Sequence, residues 1–169
     1  MSFTDLAKKR CSIRAYDPDP VEPDKIAAIV EAAHVAPSAA NRQPVRLIQV
    51  ESAEGLANLG RYANLYGAPL AFIVCADAER AWKRPVDGMV STAIDASITC
   101  DHMMIAATDL GLGSVWICAF DPAGVREAFN LPASLVPVNI LAVGHAAEWK
   151  SPERHAVERI PVQELVTKA

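Results

Sequence analysis

Five consecutive residues near the amino terminus, Arg10-Cys11-Ser12-Ile13-Arg14, alternate polar or charged side chains with apolar ones. Successive side chains of an extended chain point to opposite faces, so Arg10, Ser12 and Arg14 line one face while Cys11 and Ile13 turn inward. Two guanidinium groups bracketing a hydroxyl suit a phosphate or another oxyanion. The plain alternative is a pair of solvated arginines. A second stretch, Ala36-Pro37-Ser38-Ala39-Ala40-Asn41-Arg42-Gln43-Pro44, joins an apolar helical run to a short apolar strand. Its small side chains let a flat ligand approach the backbone, and Ser38, Asn41 and Gln43 offer polar contacts. Here the plain alternative is a helix exit followed by a β-turn, with two prolines as punctuation.

Other chemistries find little footing. The four cysteines, Cys11, Cys75, Cys100 and Cys118, include no C-x-x-C pair, and the four histidines show no H-x-x-x-H spacing. Zinc and iron–sulfur sites therefore lack support. Three of the cysteines lie in apolar runs and are expected as buried free thiols. No G-x-G-x-x-G follows a predicted strand, and Gly111-Leu112-Gly113 stands in the reverse order, closing a helix before a strand. The net charge of −4, with no long run of one sign, argues against nucleic acid. No uncharged run reaches membrane-spanning length and the amino terminus has no signal-peptide core, so a cytoplasmic protein without membrane partners is the expectation.

The 169 residues, 51% of them hydrophobic, fit one domain or one protomer of a compact dimer. Residues 3–9 read as a short helix. Asp24 begins a second helix, with apolar positions Ile26, Ile29, Val30 and Ala33, and Pro37 closes it. Residues 45–50 read as a strand, 53–62 as a small helix, and the apolar run Leu70–Ala76 as a buried central strand. Residues 77–87 are a charged linker. The longest helix is expected from Asp87 to Leu110, buried on several sides, either crossing the domain centre or packing on a partner. Ser91, Asp95, His102 and Asp109 share one stripe of it; Asp95 and His102 could be a functional pair, and a solvated stripe is the safer reading. Ser114–Cys118 and Val136–Val143 are further strands, with a helix between them starting at Asp121-Pro122 and ending near Asn130. The tail after Gly144 looks extended and poor in core residues. This order, without a regular β-α-β cadence, indicates α+β or an irregular three-layer sandwich.

In sequence order, Arg10-Cys11-Ser12-Ile13-Arg14 resembles the R-R-S-I-R opening of the nitroreductase family of flavoproteins. Ala36 to Pro44 resembles its A-P-S-x-x-N-x-Q-P segment, and Gly111-Leu112-Gly113-Ser114-Val115-Trp116-Ile117 its G-L-G-S-x-W-I segment. Pro137 to Gly144 resembles the strand that follows. The resemblance spans nearly the whole chain as one domain, 1–169.

It implies an α/β/α sandwich with a mostly antiparallel central sheet, forming an intertwined homodimer with FMN at the interface. The carboxyl-terminal arm, residues 144–169, would wrap the partner subunit. Arg10 and Ser12 would hold the FMN phosphate or ribityl chain, and Arg14 would lie near the pyrimidine edge. Pro37, Ser38 and Asn41, with Ala39 and Gln43 beside them, would approach the flavin from the other subunit. Trp116, Ile117 and Cys118 would lie along the ring, and Arg159 would grip the phosphate. No side-chain nucleophile and no metal is implied, because a flavin carries the redox chemistry itself. NADH or NADPH would be the reductant, and a small nitroaromatic or quinone the acceptor, in a ping-pong scheme. Flavin-degrading, dehalogenating and peptide-dehydrogenating relatives are alternatives, as is a flavin-binding carrier or sensor without turnover. Cys11 stands where the family often has a second arginine, and Cys118 where it often has glycine. Buried, unreactive thiols are the expected state for both. The 77–87 linker is too short for an inserted helix over the site, which implies an open, permissive cavity.

Overall fold

The computed structural model describes residues 2–169. Helix α1 (Phe3–Lys9) starts at a reciprocal cap: Ser2 Oγ accepts from Asp5 N, and the Asp5 carboxylate accepts from Ser2 N. Helix α2 (Pro23–His34) begins with a proline, where a missing N–H costs nothing. Strand β1 (Val45–Val50), helix α3 (Ala53–Leu59) and strand β2 (Leu70–Asp77) follow. Helix α4 (Thr92–Asp109) and strand β3 (Gly113–Ile117) come next, then α5 (Pro122–Ala128) and β4 (Leu135–Gly144). The chain ends in two one-turn helices, α6 (His155–Glu158) and α7 (Val162–Leu165), neither of which buries a residue.

The four strands form one sheet in the order β1-β2-β4-β3, and every adjacent pair is antiparallel. Helices cover both faces. Ala71, Ile73 and Cys75 pack with Leu59 of α3 and Val125 of α5. Leu70, Phe72, Val74 and Ala76 pack with Ile29 of α2 and with Ala96, Cys100, Met103 and Ala107 of α4. Both alternating sets of β2 are buried, which is why its sequence is a continuous apolar run.

Helix α4 starts five residues later than the expected Asp87. Arg84 and Asp87 pair at 2.6 Å, Gly88 takes φ +73°, and Lys83 bridges Val90, so residues 83–90 form a compact turn. The stripe on α4 is also not the solvated line expected. Ser91 and Asp95 are buried, His102 is half-buried with its Nδ1 2.9 Å from the Ile98 carbonyl, and Asp109 is exposed. The reason is tertiary: the loop before β1 covers the start of α4. Ile94 is exposed, and Ile98 and Ile105 are partly so. No described helix is long and apolar enough to cross a membrane.

Candidate functional site

Residues 11–16 are held against the start of β3. Ser12 bridges Ser114 in parallel, and Ile13 N donates to Ser114 O at 2.9 Å. The Tyr16 hydroxyl, reaching the Ile13 and Ala142 carbonyls, pins the other end. Burial pushes that phenol well above its ordinary pKa, so it stays a neutral donor. The expected alternation is present: Cys11 and Ile13 are buried, Ser12 and Arg10 half-buried, Arg14 exposed. The two glycines of Gly111-Leu112-Gly113 have separate tasks. Gly111 ends α4 at φ +78°. At Gly113 a β-carbon would stand 2.7 Å from Ile13 Cγ1, so only glycine lets the Arg10–Arg14 segment come this close.

The carboxyl-terminal arm completes a basic pocket of about 280 Å³. Arg10, Ser12 and Arg14 line it from one side, and Lys150, Arg154, His155 and Arg159 from the other, with Glu158 as the one carboxylate. Among the described residues, none of the five cations lies within ion-pair distance of a carboxylate. Arg154 donates to the Lys8, Arg10 and Ser151 carbonyls, which fastens this part of the arm to its own chain. Arg159 Nε lies 3.3 Å from His155 Nδ1, and His155 Nε2 lies 3.2 Å from Lys8 O. An Arg159 N–H can only donate, so Nδ1 is the acceptor of that contact. Burial, then the Arg154 and Arg159 charges, pull the Arg10 guanidinium below its ordinary pKa. Five cations gathered around a single carboxylate favour a multiply charged oxyanion. Lys150, Arg154 and His155 were not singled out in the sequence; the basic residues of Lys150 to Arg159 were the available signal.

Trp116 and Ile117 continue along β3, an edge strand of the sheet, and Cys118 follows its end. Trp116 packs toward the α2–α4 face, with its indole Nε1 buried and unpaired. Ile117 pairs with Ile140 of β4. Ser114 directs its carbonyl outward to Ile13, and the alternation of a strand turns the Trp116 backbone groups to the same open edge. Cys118 departs from expectation: it is exposed, because the strand ends at Ile117 and the chain turns away. Cys11, Cys75 and Cys100 are buried. Arg14 lies over the Tyr66 ring, 5.7 Å from its centre. Tyr66 in turn lines an open concavity of about 620 Å³ with Arg61, Tyr62, Asn64 and Ala119.

The second stretch lies elsewhere. Ser38 to Gln43 precede β1, the opposite edge strand, with β2 and β4 between. Three strand spacings make that separation roughly 14 Å at least. Ala39 to Asn41 form a single tight turn. Ala40, Asn41 and Gln43 have φ of 49°, 52° and 51°, left-handed values rare outside glycine. Gln43 N donates to Ser38 Oγ at 2.9 Å, and Ala39 N donates to Asp95 Oδ1 at 2.8 Å. Pro37 and Asn41 are exposed. Thus one chain brings together Arg10, Cys11, Ser12, Arg14, Trp116, Ile117, Cys118 and Arg159 around the β3 edge. It holds Pro37, Ser38, Ala39, Asn41 and Gln43 apart, at the β1 edge.

Comparison with known proteins finds relatives along most of the chain. A crystal structure of a nitroreductase family protein from Clostridium difficile 630 is 48% identical and superposes with a TM-score of 0.97, covering 99% of this chain and 98% of the other. An FMN reductase [NAD(P)H] of Bacillus subtilis is 33% identical over 156 residues, 81% of this chain and 63% of that protein. An NADH dehydrogenase of Thermus thermophilus is 28% identical over 195 residues, covering 95% of this chain and 92% of its own. The model of the nitroreductase family matches residues 7–64 and 56–145. By sequence motif, fold and family match alike, the chain belongs to the nitroreductase family.

Proposed function

We propose that the protein is an FMN-dependent NAD(P)H oxidoreductase that works as a homodimer. The observation that carries this reading is the basic pocket at the β3 edge. Its five cations stand against one carboxylate, and the Ser12 hydroxyl lies among them. Such a donor set fits the near-dianionic phosphate of a flavin mononucleotide better than a neutral ligand. Arg10, Ser12 and Arg159 hold the phosphate end. Arg14, kept in place over the Tyr66 ring, stands where a guanidinium favours negative charge on a flavin's pyrimidine edge. The open backbone edge at Trp116 and the Cys118 turn run beside the ring. When bound, FMN supplies the electron transfer that links nicotinamide oxidation to reduction of an acceptor in two half-reactions.

Pro37, Ser38, Ala39, Asn41 and Gln43 serve the same site from the second protomer. Their position at the far sheet edge supports this, since one chain keeps them apart from the phosphate pocket. Each subunit is a three-layer unit whose α4 adds Ile94, Ile98 and Ile105 to the contact. Beyond Arg159 the arm carries Ile160, Val162, Leu165 and Val166, all exposed within one chain, and covers the partner. The concavity beside Tyr66 admits small planar acceptors such as quinones and nitroaromatics.

The test is steady-state oxidation of NADH and NADPH by the flavin-loaded protein with a quinone added. Turnover with either nicotinamide is expected. Tight FMN binding without turnover would make the protein a flavin carrier or sensor instead.

A further inference from the structure

The first turn of α4 holds a carboxylate that no cation accompanies among the described residues. Asp95 is fully buried, and among the described residues no basic group lies within ion-pair distance of it. Its Oδ2 accepts from Ser91 Oγ at 2.7 Å and its Oδ1 from Ala39 N at 2.8 Å. Burying a carboxylate is costly, and the helix amino terminus offsets only part of that cost. The distinctive consequence of this burial is the bond to Ala39, which crosses 56 residues of sequence.

Ala39 opens a loop that its own residues do not favour. Ala40, Asn41 and Gln43 are all left-handed and none is glycine. Backbone of this kind persists where surrounding contacts over-determine it. Beside the turn's own backbone bonds, the contacts here include Gln43 N to Ser38 Oγ, Arg80 Nε to Arg42 O at 2.8 Å, Arg46 Nη1 to Gln43 O, Asp77 N to Pro44 O, and Ala39 N to Asp95. The first two lie at the surface. The Asp95 bond ties the loop to the core.

We propose that Asp95 is a positioning residue for the flavin-facing loop: through Ala39 N it selects the conformation in which Ser38 and Asn41 are presented to the cofactor. This rests on the flavin reading above. The role is that of a hydrogen-bond acceptor rather than a charge, so an amide in its place serves nearly as well.

Three variants test it. Asp95→Ala removes the acceptor, and Asp95→Asn keeps one. Ala39→Pro joins Asp95→Ala as a double variant, because with Asp95 present the ring Cδ would take the place of the amide hydrogen and collide with Oδ1, 2.8 Å from Ala39 N. In that background Ser38 is extended (φ −134°, ψ 156°), as a following proline requires, and proline suits the first position of a helical turn. Asp95→Ala should weaken binding of FMN, and equally of riboflavin, about tenfold, the scale of one net hydrogen bond. Adding Ala39→Pro to it should cost nothing further, because the bond is already gone. Asp95→Asn should stay within about threefold of the parent. Parental flavin affinity in a folded Asp95→Ala dimer overturns the proposal. So does a loss confined to FMN, which would assign the effect to the phosphate pocket. Should Asp95→Ala not fold, Asp95→Val, which fills the site better and likewise offers no acceptor, decides. Hydrogen exchange in the flavin-free protein reads the tie without cofactor: the Ala39 amide is slow in the parent and fast in Asp95→Ala. Equal exchange in both overturns the proposal. A parent that binds no flavin while showing this exchange difference would refute the flavin reading and leave the tie standing.

Discussion

Ile13 and Gly113 lie so close that a β-carbon on the glycine would meet Ile13 Cγ1 at 2.7 Å and its Cβ at 3.1 Å. The contact sets how near the Arg10–Arg14 segment comes to the edge of β3. Gly113→Ala should therefore push that segment outward, at about 1–3 kcal/mol of stability, the usual scale of overpacking. Its FMN affinity should fall as well, because Arg10 and Ser12 move with Ile13. Thermal unfolding and flavin titration of the same preparation check both parts.

Arg10→Ala should weaken FMN binding by about 1.5–3 kcal/mol, the worth of a hydrogen bond to a charged group. Riboflavin, which lacks the phosphate, should bind the variant and the parent alike. Titration of the flavin-free protein with each ligand separates the two. Unchanged FMN affinity in a folded variant would remove Arg10 from the site.

The same pocket sets a pH dependence. A phosphomonoester loses its second proton near about pH 6. Burial, then the Arg154 and Arg159 charges, shift the Arg10 guanidinium downward, yet a guanidinium in a protein keeps its charge across this range. FMN binding should strengthen as pH rises through about 6 and riboflavin binding should not. Isothermal titrations at several pH values check it.

The thiols differ in the opposite direction. Burial pushes Cys75 up to about 12 from its ordinary 9.0, and raises Cys100 as well, while Cys118 is exposed. A raised thiol pKa in the folded state contributes stability that is complete below the unfolded value of 9.0 and lost as pH rises toward about 12. At neutral pH a thiol reagent should therefore label Cys118 alone in the native protein and all four cysteines after unfolding. Mass spectrometry of the labelled peptides decides this. Rapid native labelling of Cys75 would contradict the packing between β2 and its covering helices.

Heterodimers report on the two sheet edges. If Arg10 and Asn41 of one site come from different chains, mixing Arg10→Ala with Asn41→Ala protomers gives dimers with one site carrying both changes and one carrying neither. Half of the sites in such a dimer should bind FMN at parental affinity. Equal impairment of both sites would place Arg10 and Asn41 in the same chain's site.

Much of this was readable in the sequence because local rules and tertiary demands agreed. The run Leu70–Ala76 is buried on both faces and is apolar throughout. Arg10 to Arg14 alternate, and their burial alternates with them. The misreadings arose where a distant segment decides the environment. Helical spacing places Ser91, Asp95, His102 and Asp109 on a line, but it cannot say that the loop at Ala39 reaches Asp95 or that the segment at Trp82 reaches Ser91. Cys118 ends an apolar run, yet β3 stops one residue earlier and leaves it exposed. Lys150 and Arg154 join the basic pocket through the path of the arm over α1, which no periodicity records.

The most direct test of the central claim is an anaerobic titration of the purified, FMN-loaded dimer with NADH or NADPH, followed by a quinone. The yellow flavin absorbance should bleach with at least one nicotinamide and return when the acceptor is added, with one FMN per chain. A preparation that takes up no FMN, or one whose bound flavin neither nicotinamide bleaches, would contradict it.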